Sequence, residues 1–312
     1  MITILAGGTG SIKLVRGLFT EYKNITVISN VADNFWFYGL YICPDIDTII
    51  YGLGNNMLDR KKGWGIKGDS FNFLKYMKEI DEESWFGLGD KDLTTHVLRT
   101  KMLKEGKKLS EITDFFAKKY NIPIRIIPAS DNHYETHIIT KAKKEIHLQE
   151  FWIKYKGSIP ISDIIYHDIE KAQMTESINE ILQKSKLIIF APGNPITSIG
   201  SIINIKSLNK IIKSLKKKVV IISPFISNKP ISGPSEIYMK AKNIEPTISG
   251  LINFYSEYAN DMIFSNKDKK EIKEKVIKNY PNIHFHFTDI LMNTSSKEES
   301  FAKYIISNFH NF

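Results

Sequence analysis

Residues Ile2 to Ala6 form a short apolar run that stops at Gly7-Gly8-Thr9-Gly10, and beyond it Ile12, Leu14, Val15, Leu18 and Phe19 recur at helical spacing. Strand, glycine turn and helix in that order leave few folds open, because a helix fed directly by a strand packs back across a parallel sheet. Ile25 to Ser29 supplies the next strand and completes a β-α-β unit at the N-terminus.

The same alternation returns in the last third of the chain. Strand-like runs at Leu187–Ala191, Val219–Ser223, Met262–Phe264 and Ile283–Phe287 are separated by helical patterns at Leu208–Leu215, Pro234–Ala241, Ile248–Tyr258 and Lys267–Lys278. A helical pattern at Lys297–Asn308 closes the chain. Apolar strands alternating with helices predict an α/β fold, a Rossmann-like parallel sheet with helices on both faces. The middle differs, mixing helical stretches (Ser70–Glu79, Asp92–Lys104, Ser110–Tyr120) with strand-like pieces at Ile122–Ile127, Thr136–Thr140 and Glu145–Leu148. The expected division is a nucleotide-binding core of residues 1–51 and 184–312, with an α+β insertion, 52–183, as substrate lid or wall.

Composition narrows the function classes. With 42% hydrophobic and 25% charged residues in 312, the chain has the makeup of a folded globular protein. The net charge of +9 favours anionic ligands. Its lysines are scattered, the longest basic run being Lys216 to Lys218, with no interleaving of basic and aromatic residues, so no nucleic-acid partner is expected. Cys43 is the only cysteine, which excludes an internal disulfide and a cysteine metal cluster. The N-terminus lacks the basic start and long apolar core of a signal peptide, and no stretch approaches the ~20 apolar residues of a membrane span. The expected location is cytoplasmic.

Four segments carry candidate chemistry. Gly7, Gly8, Thr9 and Gly10, with Ser11 as a possible helix cap and Lys13 beyond, place backbone N–H groups where a phosphate could bind; a ligand-free tight turn is the alternative. The end of the second strand brings Asp33, then Cys43-Pro44-Asp45-Ile46-Asp47-Thr48. Three carboxylates at the carboxyl end of a parallel sheet suit magnesium, which takes one or two carboxylates plus phosphate and water. Against this stand an Asx-turn at Asp33 and a helix near Thr48 capped by Asp45 or Asp47. Asp90 or Asp92 is a candidate cap for the following helix, with His96 one turn beyond Asp92, either structural or in contact with a nucleotide. Finally, Pro192 to Gly200 leaves a strand rich in polar donors, and Ser223-Pro224 with Ser232-Gly233-Pro234 raises the same possibility at the next strand. His133 and His137 run into a strand-like stretch, which disfavours helical zinc ligation. No nucleophile elbow, zinc-protease motif or catalytic triad is present.

In order along the chain, these motifs resemble the 2-phospho-L-lactate transferase family of deazaflavin coenzyme F-420 biosynthesis. The matching pieces are the GGTG turn with Lys13, Asn30 to Trp36, Cys43 to Thr48, Gly63-Trp64-Gly65, and Leu88-Gly89-Asp90-Lys91-Asp92 with His96 and Arg99. Pro128 to Asp131, Gln149 to Trp152, the Asn194 to Gly200 loop, and Ser223-Pro224 with Ser232 to Pro234 complete the series. The resemblance implies a homodimer that moves a phospholactyl or enolpyruvyl phosphate from a guanosine diphosphate carrier to a deazaflavin alcohol, releasing GMP. It implies Asp33 and Asp47 as magnesium ligands, and Asp45 and Asp47 as catalytic groups. Guanosine nucleotide would be held by Gly7, Gly8, Thr9, Gly10, Lys13, His96, Gly193, Asn194, Pro195, Ser198 and Ser223. The deazaflavin would meet Asp47, Trp64 and Gly65. Two positions depart from the pattern: some relatives carry Arg or Lys where Gly87 stands, and others an acidic residue at Asn34. Rival readings are a non-catalytic nucleotide-sugar-binding regulator with a similar glycine loop, and a nicotinamide-dependent dehydrogenase, which the missing dinucleotide spacing disfavours.

Overall fold

The computed structural model describes residues 1–309 apart from Asn56, Ser232 and Lys273, so the expectation for Ser232 lies outside the described residues. Numbering only its own strands, the central sheet consists of β1 (Ile2–Ala6), β2 (Ile25–Ser29), β3 (Arg125–Pro128), β4 (Leu187–Phe190), β5 (Val219–Ile222), β6 (Asp261–Ser265) and β7 (His284–Thr288). Every pairing is parallel and the spatial order is β7-β6-β5-β4-β1-β2-β3. The four central strands β2, β1, β4 and β5 are buried along their whole length. Both faces are therefore covered, which is why these runs read as continuously apolar rather than alternating.

That order reverses direction between β1 and β4. Chain leaving β1 proceeds to β2 on one side, whereas chain leaving β4 proceeds to β5 on the other, so a crevice opens between the two exits. In doubly wound folds ligands bind in this crevice, at the carboxyl ends of the strands.

Five helices matter for the site: α1 (Thr9–Glu21), α2 (Pro44–Leu53), α3 (Asn72–Glu79), α4 (Asp92–Lys104) and α5 (Leu109–Lys119). The C-terminal helix Ser295–Phe309 lies against α1 so closely that a Cβ on Gly17 would stand 2.3 Å from the Glu298 carbonyl oxygen. Arg16 on α1 clasps Glu298 across this seam, Nε to Oε2 at 3.0 Å.

Segment 52–183 does not stay outside the sheet. Within it, α5 leads into β3, which pairs with β2 and forms the sheet's edge. The apolar Ile124, Ile126 and Ile127 are buried there, and that gain draws the strand into the core. The segment's remaining strands form an antiparallel sheet of Glu135–Thr140, Glu145–His147 and Ile161–His167. The last of these was not anticipated, because Ser162 and Asp163 interrupt its apolar run. Lys267–Lys278 also departs from one continuous helix: a 3-10 turn at Asn266–Asp268 precedes a helix at Glu274–Asn279, and Lys273 lies outside the described residues. Among the described residues no helix is long and apolar enough to cross a membrane.

Candidate active site

The loops leaving β1 and β4 are pressed together in the crevice. A Cβ on Gly7 would stand 2.8 Å from Ser198 Cβ, and one on Gly10 would stand 2.7 Å from the Pro192 carbonyl oxygen. The glycines thus serve loop-to-loop approach first. Ser11 is not the cap of α1. Gly8 occupies the N-cap position, and the Ser11 hydroxyl, inside the first turn, accepts the Gly7 N–H at 3.0 Å. In the β4 loop Asn194 Oδ1 accepts the N–H groups of Ile196 and Thr197 at 2.9 and 3.1 Å, and its Nδ2 donates to Ser235 Oγ at 3.0 Å.

Asn30, at the end of β2, joins these loops to the carboxylates. It is wholly buried, donating from Nδ2 to Asp45 Oδ2 at 2.9 Å and accepting at Oδ1 from Ala32 N–H and the Ser201 hydroxyl. A helix beginning near Thr48 with an aspartate cap is not what forms. Proline at the first helical position starts α2 at Pro44, after Cys43, and puts Asp45 and Asp47 in its first turn without a side-chain cap. Both acids stand near the positive end of the helix. Asp45 faces the glycine turn, and a Cβ on Gly8 would stand 2.5 Å from its Oδ1.

Burial dominates the protonation of this cluster. It raises Asp45 to about 6, although hydrogen bonds from Asn30 and the Gly8 backbone oppose the rise. Asp33 is raised well above the ordinary range, first by burial and then by the negative charge of Asp45. Asp33 Oδ1 is buried and has no hydrogen-bond partner. Burial likewise pushes the Cys43 thiol up to about 12, which leaves it no role as a nucleophile.

Asp47 is held differently. Arg99, from α4, binds both its oxygens, the Nη1 bond to Oδ2 measuring 3.0 Å. His96 lies one turn earlier on α4, with Nδ1 3.8 Å from Asp47 Oδ2 and Nε2 3.3 Å from Asp92 Oδ1. The Tyr51 hydroxyl donates to Asp92 Oδ1 at 2.6 Å. Burial raises Asp47, against the charges of Arg99 and His96. Asp47, Asp92 and His96 offer ligand atoms within 4.8 Å of one another, but Arg99 already neutralises Asp47. A hard cation is better served by Asp33, whose buried, unpartnered Oδ1 calls for a proton or a positive group.

One cavity of about 690 Å³ gathers most of these groups. Gly8, Thr9, Gly10 and Lys13 line it from the β1 loop, and Gly193, Asn194 and Ser198 from the β4 loop. Asp33, Asp45, Asp47, Asp92 and His96 form its floor, while Trp64, Gly65, Trp85, Phe86 and Trp152 give an aromatic side. Gly7, Pro195 and Ser223 are not in the lining. Gly7 backs onto Ser198, and the Ser223 hydroxyl accepts the Phe225 N–H at 3.0 Å, closing a turn after β5. Tyr51 carries the framework yet was given no role from sequence, while Asn30, Asp92 and Arg99 had none beyond the family motif and, for Asp92, a possible helix cap. Asp90 does not cap α4. Its oxygens accept the Asn72 and Phe73 N–H groups at the start of α3, while Asp69 accepts those of Lys91 and Asp92 at the start of α4. The His133 and His137 side chains both pair with Glu135 on the antiparallel sheet, away from the cavity lining.

The 2-phospho-L-lactate transferase CofD family model matches residues 2–303. The 2-phospho-L-lactate transferase of Methanosarcina mazei is 33% identical over 308 residues, covering 98% of this chain and 99% of that one. That of Methanocaldococcus jannaschii is 35% identical over 279 residues, 88% and 89% of the two chains. A phosphoenolpyruvate transferase of Mycolicibacterium smegmatis is 31% identical over 275 residues, 83% and 84% of the two. A UPF0052-family crystal structure from Bacillus halodurans covers 98% of both chains with a TM-score of 0.63 at 14% identity, a likeness that concerns the fold alone. With a family match spanning nearly its whole length, this chain belongs to the 2-phospho-L-lactate transferase family.

Proposed function

We propose that the protein, acting as a homodimer, transfers a 2-phospholactyl or phosphoenolpyruvyl group from a guanosine diphosphate carrier to a deazaflavin alcohol, releasing GMP. The observation that carries this reading is a single cavity whose wall is glycine loop on one side, carboxylates at the floor and aromatic rings on the other. Those three surfaces match a nucleotide diphosphate, a phosphoryl-transfer centre and a flat heteroaromatic acceptor.

The nucleotide lies against the N-terminus of α1, with Lys13, His96 and the Asn194 loop, where backbone N–H groups and helix polarity favour phosphate. The flat acceptor lies against Trp64 and Gly65, with its hydroxyl turned to the carboxylate floor. Its oxygen forms a bond to the phosphorus carrying the acid, and the bond from that phosphorus to the GMP oxygen breaks. The hydroxyl proton passes to Asp45 Oδ1, a base whose affinity for protons suits neutral pH. Asp47, clamped by Arg99, orients the hydroxyl. Magnesium, held chiefly at Asp33, would neutralise charge on the diphosphate and its leaving phosphate, and Asp47, the second ligand that the family motif implies, could share it only through what its Arg99 pairing leaves free.

Purified protein mixed with deazaflavin alcohol, magnesium and each guanylated acid, followed by mass spectrometry, tests the assignment. The expected products are GMP and the acceptor esterified with the phospho-acid. GMP without modified acceptor, or no product with either acid, overturns it.

A further inference from the structure

Gly87 lines the cavity beside Trp64, and its lack of a side chain is not required by its backbone. Its φ lies outside the left-handed region, and the three-residue turn around it, Leu88 N–H to Phe86 C=O at 3.0 Å, accepts an ordinary residue. The space a side chain would fill is taken by Trp64 instead. A Cβ on Gly87 would stand 2.7 Å from Trp64 Cη2 and 3.2 Å from Cζ3. Trp64 is carried between Gly63 and Gly65, both in the left-handed region, and Lys62 Nζ sits 5.4 Å from its ring centroid. The indole is 41% exposed and both residues line the cavity, so the ring's position shapes the surface a ligand meets.

We propose that Gly87 is a specificity-determining position: its empty side leaves room for the Trp64 indole to lie back and present its face to a flat aromatic acceptor. A side chain at 87 pushes the tip of the ring outward and narrows that surface. The obstacle is the far end of a part-exposed side chain rather than backbone, so the cost falls on acceptor fit and not on folding. This inference rests on the acceptor binding side proposed above.

The test is Gly87→Ala, Trp64→Ala and the double variant, assayed with the deazaflavin alcohol as varied substrate. Gly87→Ala is expected to raise KM for the acceptor roughly three- to tenfold, the range an aromatic stacking contact supplies, with KM for the guanylated donor and Tm unchanged. In the Trp64→Ala background the same change is expected to have no effect, because the ring it displaces is gone. A readout without substrate uses fluorotryptophan-labelled protein: the Trp64 resonance, assigned by its loss in Trp64→Phe, shifts in Gly87→Ala. Wild-type-like acceptor KM in Gly87→Ala, or an equal penalty with and without Trp64, overturns the inference even when the wild-type enzyme turns over. Absence of turnover in wild type strikes the proposed function instead, and an unmoved Trp64 resonance then still overturns this one.

Discussion

Arg99 reaches from α4 to hold both carboxylate oxygens of Asp47 on α2, and both side chains are buried, at exposures of 1% and 5%, with Asp47 also lining the cavity. A buried pair of this kind adds little stability over an apolar pair, yet breaking it is costly because one charge is left without a partner. Arg99→Leu is therefore expected to lower the unfolding free energy by ~3–5 kcal/mol, read by urea denaturation. Arg99→Lys keeps the charge but loses the two-pronged grip, and is expected to fold while losing turnover. An Arg99→Lys enzyme with wild-type kcat removes the positioning role.

Asp45 and Asp47 separate by their partners. Asp45 is expected to be the base, so Asp45→Asn should lower kcat by about 10²–10⁴, the usual contribution of a positioned proton acceptor. In wild type kcat/KM is expected to climb with pH through about 6 and then level, and Asp45→Asn to lose that limb. Gly8→Ala should act in the same direction, since its Cβ would push Asp45 aside. Should Asp47→Asn instead abolish the limb while Asp45→Asn keeps it, the two roles are exchanged.

The strands that frame the crevice were legible because burial on both faces makes them unbroken apolar runs, and the glycine turn after Ala6 marks where β1 opens into the cavity. The insertion's boundary was not, because β3 is short and its place beside β2 depends on contacts between residues about a hundred positions apart. The start of α2 was misplaced by reading Asp45 and Asp47 as caps when Pro44 already sets the first turn. The Asn30 hub and the Asp47–Arg99 pair were legible as motif members only. Which carboxylate pairs with which cation is decided by how α2 and α4 lie against each other, and helical spacing along either one carries no record of that.

Asp69 and Asp90 exchange caps, each closing the helix that begins beside the other. Asp69→Ala is expected to cost about 1 kcal/mol, as for the loss of a helix cap. Gly89 has the reciprocal constraint, because a Cβ there would stand 2.0 Å from Asp69 Oδ2. Gly89→Ala should accordingly destabilise the wild type by more than it destabilises the Asp69→Ala variant. Equal penalties in a urea-denaturation double-mutant cycle contradict the arrangement.

The carboxylate floor predicts an unusual dependence of stability on pH. Asp33 and Asp45 bind their protons more tightly in the folded chain than in the unfolded one, because burial disfavours their charged forms. For a carboxyl raised in this way the stabilising contribution is complete below the ordinary Asp value of 3.8 and is lost as pH rises through the folded value, about 6 for Asp45. The loss for Asp45 is on the order of 3 kcal/mol in the absence of a cation. Other carboxylates lose their native partners in acid, so the comparison that isolates this contribution is wild type against Asp45→Asn, measured by urea denaturation from about pH 4 to about pH 7. Wild type is expected to lose stability relative to the variant across that window. Magnesium should restore stability most at the upper end, where more of the floor's negative charge is present for a cation to neutralise. A difference between the two proteins that stays flat with pH, in chelator and in magnesium alike, would falsify the buried, cation-demanding state of this floor.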